Sequence, residues 1–279
     1  MTDAPRAADA LTEVLDDLVH EGDALEALVT PLDAAGWRTP TPATGWDVAH
    51  QVAHLAWTDE VAVVAATDKE AWDARVLAAI EDPSGFVDAE AARGATSAPA
   101  DLLERWRHAR TVLVETLARQ PQGVKIPWFG PPMSAASMAT ARLMETWAHG
   151  HDVADALGQA VVPSRRIRHL VRLGVRTRNF AFSVHGLEPP ATDFHVELTG
   201  PDAETWTHGP PEAAQGVRGS AYDFCLLVTQ RRHRAELDLT ATGDDADRWL
   251  DIAQVFAGPP GEGREPGRRT DATHAGGAR

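Results

Sequence analysis

The segment Glu145-Thr-Trp-Ala-His149 sets a carboxylate and an imidazole four residues apart. On a helix that interval places both side chains on one face, close enough to share a metal ion. A carboxylate oxygen and an imidazole nitrogen suit Zn²⁺, Mn²⁺, Fe²⁺ or Ni²⁺. Two ligands are too few, so a third must come from another part of the chain. His54 is the best candidate. Val52, Leu55 and Trp57 bracket it, just as Leu143, Met144, Trp147 and Ala148 surround the Glu145/His149 pair. Such surroundings place these polar groups near core, where ionisable side chains need partners.

Other groups compete for roles at the same place. His50 forms a rival four-residue pair with His54, and either His50 or His151 is a possible fourth ligand. Helical geometry turns His151 about 200° away from His149, which suits a structural role. Asp152 follows His149 by three residues and can accept the ring N–H that a metal-bound histidine donates to an outer partner. Arg142, one turn before Glu145, can grip a substrate carboxylate or pair with Glu145 itself. The single cysteine, Cys225, lies in the apolar run AYDFCLLV and reads as a small buried hydrophobe.

The elements that must position these residues can be read from periodicity. Leu11, Val14, Leu15, Leu18, Leu25 and Leu28 recur at three- and four-residue steps, which predicts an amphipathic first helix over about 6–35. Asp47 opens a second helix over 47–67 as an N-cap acid. The stretch 68–98, broken by Pro83, Gly85 and Gly94, reads as a short helix followed by a loop. A third long helix spans 99–119. Pro121, Pro127, Pro131 and Pro132 with Gly123 and Gly130 then impose a long loop, and helical spacing returns over 135–157 until Gly158 stops it. Four helices of this kind make a bundle over residues 1–160.

Beyond Pro163 the pattern changes to a basic helix over 164–183 and an alternating strand, DFHVELTG, at 193–200. A second strand, a helix covering GVRGSAYDFCLLVTQRR, a strand AELDLTATG and a last helix DADRWLDIAQVFAG complete an α+β domain over 161–258. Arg231 and Arg232 end its apolar helix and can bind an acidic cofactor. Residues 259–279 are rich in Pro, Gly and Arg and read as a disordered tail. The fold class is therefore mainly α, with a small α+β domain behind a four-helix bundle.

Composition narrows the partners. The 279 residues are 43% hydrophobic and 24% charged, as in ordinary globular proteins, and no apolar run reaches the roughly 20 residues of a membrane span. A net charge of −15 opposes nucleic acid. The acidic start lacks a signal or transit pattern, so a cytoplasmic protein is expected, as monomer or homodimer, with a small-molecule partner.

The stretches TGWDVAHQVAHLAWTDE and ARLMETWAHGHDVADALG resemble the two signature segments of the DinB-like superfamily, in its mycothiol-dependent maleylpyruvate isomerase branch. Trp46, Trp147 and Asp152 share the pattern, and the nearest likeness is to an actinobacterial metal-binding subgroup. That resemblance implies zinc on His54, Glu145 and His149, mycothiol as a thiol cofactor, and a sterol-carrier-like C-terminal domain. It does not carry a substrate. Three protein ligands leave a coordination position open, as catalytic sites do. With a thiol in that position the expected activity is an S-transferase or isomerase. With water, or with the metal as a plain Lewis acid, it is a hydrolase, lyase or cyclase. In a third reading the metal only ties helices together in a ligand-binding protein.

Overall fold

The structure is a computed structural model that describes residues 3–83, 85–258, 260–261 and 263–266. Most of the tail expected from 259 onward lies outside the described residues. The chain divides into two compact units, Met1–Leu170 and Val171–Arg279.

The first unit is helical: α1 (Asp3–Val29), α2 (Val48–Thr67), α3 (Lys69–Glu81), α4 (Phe86–Ala95), α5 (Pro99–Ala118) and α6 (Ala135–Ala156). Their ends follow from local chemistry. Asp47 caps α2 by accepting from the His50 amide at 3.0 Å and from the His50 ring, whose Nδ1 lies 2.6 Å from the same carboxylate oxygen. Pro99 opens α5, where its missing N–H costs nothing. Ser134 caps α6, and Gly158 ends it at a φ of +63° that a residue with a Cβ rarely adopts.

Helices α1, α2, α5 and α6 form the bundle, with α2 at its centre. That helix is buried on nearly every side, from Val48 and Val52 through Leu55 to Val61 and Ala65. Leu25 and Val29 of α1, Leu102, Leu103 and Trp106 of α5 and Val153 of α6 complete the same core. Residues 68–98 differ from the short helix and loop expected of them. Asp68 caps α3, Pro83 and Gly85 interrupt it, and α4 then resumes. Helix α4 lies so close to α2 that a Cβ on Gly94 would come within 2.7 Å of the Ala53 methyl. The proline-rich stretch before α6 is a loop, pinned by one bridge between Ile126 and Met133.

The division between units falls within α7 (Arg168–Arg176), which α8 (Arg178–Val184) follows after a break at Thr177. The single basic helix expected over 164–183 is thus two helices preceded by a 3-10 turn. Strands β1 (Phe194–Thr199), β2 (Thr205–His208), β3 (Gln215–Ser220) and β4 (Leu239–Thr242) form a sheet in the order β2-β1-β3-β4, in which β1 and β3 are parallel and the outer pairs antiparallel. Here too the structure corrects the reading of GVRGSAYDFCLLV as one helix. Its first half is β3, and Ser220 caps α9 (Ala221–Val228) by accepting from the Asp223 amide. Helix α10 (Asp244–Ile252) is shorter than expected, ending five residues before Ala257. Phe194 of the sheet and Phe224 of α9 pack on Trp249 of α10, and Val196 and Val217 are buried as well. Among the described residues, no helix is long and apolar enough to cross a membrane.

Candidate metal centre

Helices α2 and α6 pack side by side, and their contact brings together residues 91 positions apart. His54 Nε2 lies 3.5 Å from Glu145 Oε2, and His149 Nε2 lies 3.2 Å from the same oxygen. One ligand atom from each residue falls within 4.8 Å of the others, a spacing at which the three can hold one ion. No other group of this kind occurs among the described residues. The three side chains are 10%, 23% and 12% exposed for His54, Glu145 and His149, so the carboxylate is the most open of them.

The electrostatics favour an ionised carboxylate. Burial works against the charge on Glu145, but hydrogen bonds to His149 and His54 and the nearby charges of His149 and Arg142 outweigh it, holding the group well below the usual carboxylate range. Two imidazole nitrogens and a carboxylate oxygen thus meet around one point, and His54 Nδ1 is buried without a hydrogen-bond partner. The set fits a divalent first-row cation, for which these donors are typical.

Residues around the three explain how they are held. Trp46 stacks on the His149 ring at 5.9 Å, packs against His54 at 5.4 Å, and is tethered by its indole N–H to Asp88 at 3.0 Å. Gln51, fully buried on α2, places its amide oxygen 2.5 Å from His149 Nδ1. That position was expected for Asp152, whose carboxylate is 4.0 Å from Nδ1 and lies one turn along the same helix. A glutamine on the facing helix reaches the ring edge more directly than an acid on its own helix, and no periodicity of α6 signals it.

Arg142 also departs from expectation. It points at Asp59 of α2, at 2.8 Å, and at the Thr58 hydroxyl, at 2.6 Å, in a pair 3% exposed on both sides. It neither pairs with Glu145 nor presents a free guanidinium to a substrate. His50 is occupied in the cap with Asp47, at 2.6 Å, and His151 bonds the Trp147 carbonyl at 2.8 Å, so neither joins the cluster. A run of rings leads outward from His54 through Trp57 and Phe86 to Phe129 and Trp128, at centroid spacings of 5.3–6.3 Å. Arg231 and Arg232 belong to the second unit. There Arg231 donates to the Thr229 carbonyl and Arg232 to that of Arg231, and Arg232 lines a cavity of about 430 Å³ with His185, Arg234 and Asp251. Cys225 is buried, and burial pushes its thiol well above the ordinary range.

Comparison with known proteins places this arrangement. The sequence model of the mycothiol maleylpyruvate isomerase N-terminal domain matches residues 18–154, which hold all three cluster residues. Two proteins of Mycobacterium tuberculosis, from strains CDC 1551 / Oshkosh and ATCC 25618 / H37Rv and both called uncharacterized, are 58% identical over 248 residues, covering 89% of this chain and 96% of theirs. The chain belongs to the DinB-like, maleylpyruvate isomerase-like family. Within it, the fold resembles crystal structures of the mycothiol-dependent maleylpyruvate isomerase and of a histidine-to-alanine mutant of it. Their TM-scores are 0.57 and 0.59, at 16% and 17% identity, with 83% of this chain and 92% of theirs covered. A second sequence model, for wyosine base formation, matches residues 190–242. The family's characteristic unit is thus the helical one, and it contains the cluster.

Proposed function

We propose that this protein is a metal-dependent enzyme of the transferase or isomerase type, acting on a small molecule with the help of a thiol. The observation that carries this reading is the convergence of His54, Glu145 and His149 on one point, with the Glu145 carboxylate partly open and no fourth ligand among the described residues. A structural zinc site normally closes with four protein ligands, whereas an open position is kept for a reactant.

His54, Glu145 and His149 would hold the divalent ion, with zinc the first choice. When bound, such an ion lowers the pKa of a coordinated thiol, so that a group only a few per cent ionised at pH 7 becomes mostly thiolate. The mycothiol-dependent maleylpyruvate isomerases whose fold this chain resembles make mycothiol the first thiol to test. The remaining work falls to this chain. Trp46 walls the His149 side of the cluster and restricts water. The rings of Trp57, Phe86 and Phe129 offer an apolar surface on the His54 side, suited to the body of an organic substrate. Arg142, from behind, favours the ionised state of Glu145 without touching the reactant.

The test is elemental analysis of the purified protein beside His54→Ala and His149→Ala, followed by titration of the Co²⁺-loaded protein with mycothiol. One equivalent of metal in the parent, its loss in both variants, and a sulfur-to-cobalt absorption band on adding thiol are expected. Metal binding without any spectral response to thiol would replace the thiol reading with hydrolase, lyase or cyclase chemistry. No metal uptake would remove both.

A further inference from the structure

We infer that Thr41 and Gln51 form a hydrogen-bond relay that selects the ring tautomer of His149, keeping its Nε2 unprotonated toward Glu145. The inference rests on the metal reading above for its consequence, but its geometry stands separately. The Trp46 carbonyl can only accept, and it lies 2.9 Å from the Thr41 hydroxyl. The single hydroxyl proton of Thr41 therefore goes to Trp46. The Thr41 oxygen is left with lone pairs, and Gln51 Nε2, 2.8 Å away, donates to it. With the amide nitrogen so directed, the amide oxygen faces His149 Nδ1 at 2.5 Å and can only accept. His149 must carry a proton on Nδ1. A neutral ring then has its bare lone pair on Nε2, 3.2 Å from the Glu145 carboxylate.

Two facts make the relay more than a filled hydrogen-bond inventory. Gln51 has no exposed surface, so no water can substitute for either partner. With Nδ1–H committed to Gln51, Nε2 is the ring nitrogen left to face Glu145, and it is the one through which a metal ion would be bound. Gln51 thus acts as a positioning residue, and Thr41, in the turn before α2, sets its direction. The same turn carries Trp46, whose ring stacks on His149, so one short segment controls both the face and the protonation pattern of that ligand. Outer partners of metal-bound histidines typically change affinity by about 10–100-fold when removed.

The test compares Thr41→Val, Thr41→Ser, Gln51→Leu, Gln51→Glu and the Thr41→Val/Gln51→Glu double variant. Zn²⁺ affinity is read by competition with a chromogenic chelator. The His149 tautomer is read in the metal-free protein from imidazole ¹⁵N shifts, at a pH where the ring is neutral. Gln51→Leu should weaken Zn²⁺ by about 10–100-fold and Thr41→Val by about 10-fold, with Nε2–H gaining population in both. Thr41→Ser, which keeps the hydroxyl, should restore the parent values. A glutamate at 51 accepts with either oxygen, so it should make Zn²⁺ binding insensitive to the loss of the Thr41 hydroxyl, and the two changes will not add. Parent affinity and an unchanged Nδ1–H tautomer in Thr41→Val would overturn the relay. If Thr41→Val does not fold, an Nε2–H ring in the parent protein overturns it instead. Absence of Zn²⁺ uptake by the parent would sink the metal reading alone, because the ¹⁵N measurement still decides the relay.

Discussion

Helices α2 and α6 carry two clusters of charge about one turn apart, and they are built on opposite principles. Arg142 and Asp59 match one cation to one anion, add the Thr58 hydroxyl, and shut out solvent. His54, Glu145 and His149 gather two imidazoles around one carboxylate and stay partly open. The first cluster is complete as it stands. The second is a donor set of the kind that a metal ion completes. The comparison teaches that burial of charge alone does not mark a functional site, and that a partly open set of metal-type donors is the better candidate.

The largest effect should come from breaking the balanced cluster. Arg142→Met leaves Asp59 buried without its cation, and urea unfolding should show a loss of about 3–5 kcal/mol. Asp59→Asn/Arg142→Met together should recover part of it, since removing both charges is far cheaper than removing one. The partly open cluster predicts a different pattern. His149→Ala should cost the metal-free protein little, but should abolish the stabilisation that Zn²⁺ confers on the parent, about 2.7 kcal/mol at a hundredfold excess over Kd. Thermal unfolding of both proteins with and without Zn²⁺ checks this.

A smaller effect concerns the cap that starts α2 and so orients His54. Asp47→Ala should cost about 1 kcal/mol. Burial opposes ionisation of Asp47, but hydrogen bonds and charge from His50 and a bond from Arg38 outweigh it and lower the carboxyl below its usual value. A group depressed in the folded state stabilises fully above its unfolded pKa of about 3.9, and that contribution fades as pH falls toward the lower folded value. The parent and Asp47→Ala should therefore converge in stability on acidification below about pH 4. The smallest effect belongs to the second unit, where Cys225 is buried and its thiol disfavours ionisation. A disulfide reagent at pH 8 should leave it unmodified until denaturant is added; rapid labelling of the native protein would contradict the described packing.

Much of the helical unit was legible because its signals are local. The apolar steps of α1, the Asp47 cap and Gly158 at the end of α6 each act within a few residues. Local signals failed where a short break looked like a long one. Pro83 and Gly85 suggested an extended loop, yet packing of Ala91, Gly94 and Ala95 into the core restores a helix after them. They failed again at Gln215–Ser220, where pairing with β1 and β4 makes a strand of residues that composition joined to the helix behind.

The sequence by itself determined that Glu145 and His149 share a helix face, because a four-residue interval and a 3.6-residue turn leave no other arrangement. It also determined where α2 begins, since a cap needs only its own first turn. Tertiary structure alone decided which residues meet across helices: His54 with Glu145, Gln51 and not Asp152 at His149 Nδ1, Asp59 and not Glu145 at Arg142. Those pairings depend on the rotation and offset of α2 against α6, set by the packing of the whole bundle, and no spacing along either helix encodes that offset.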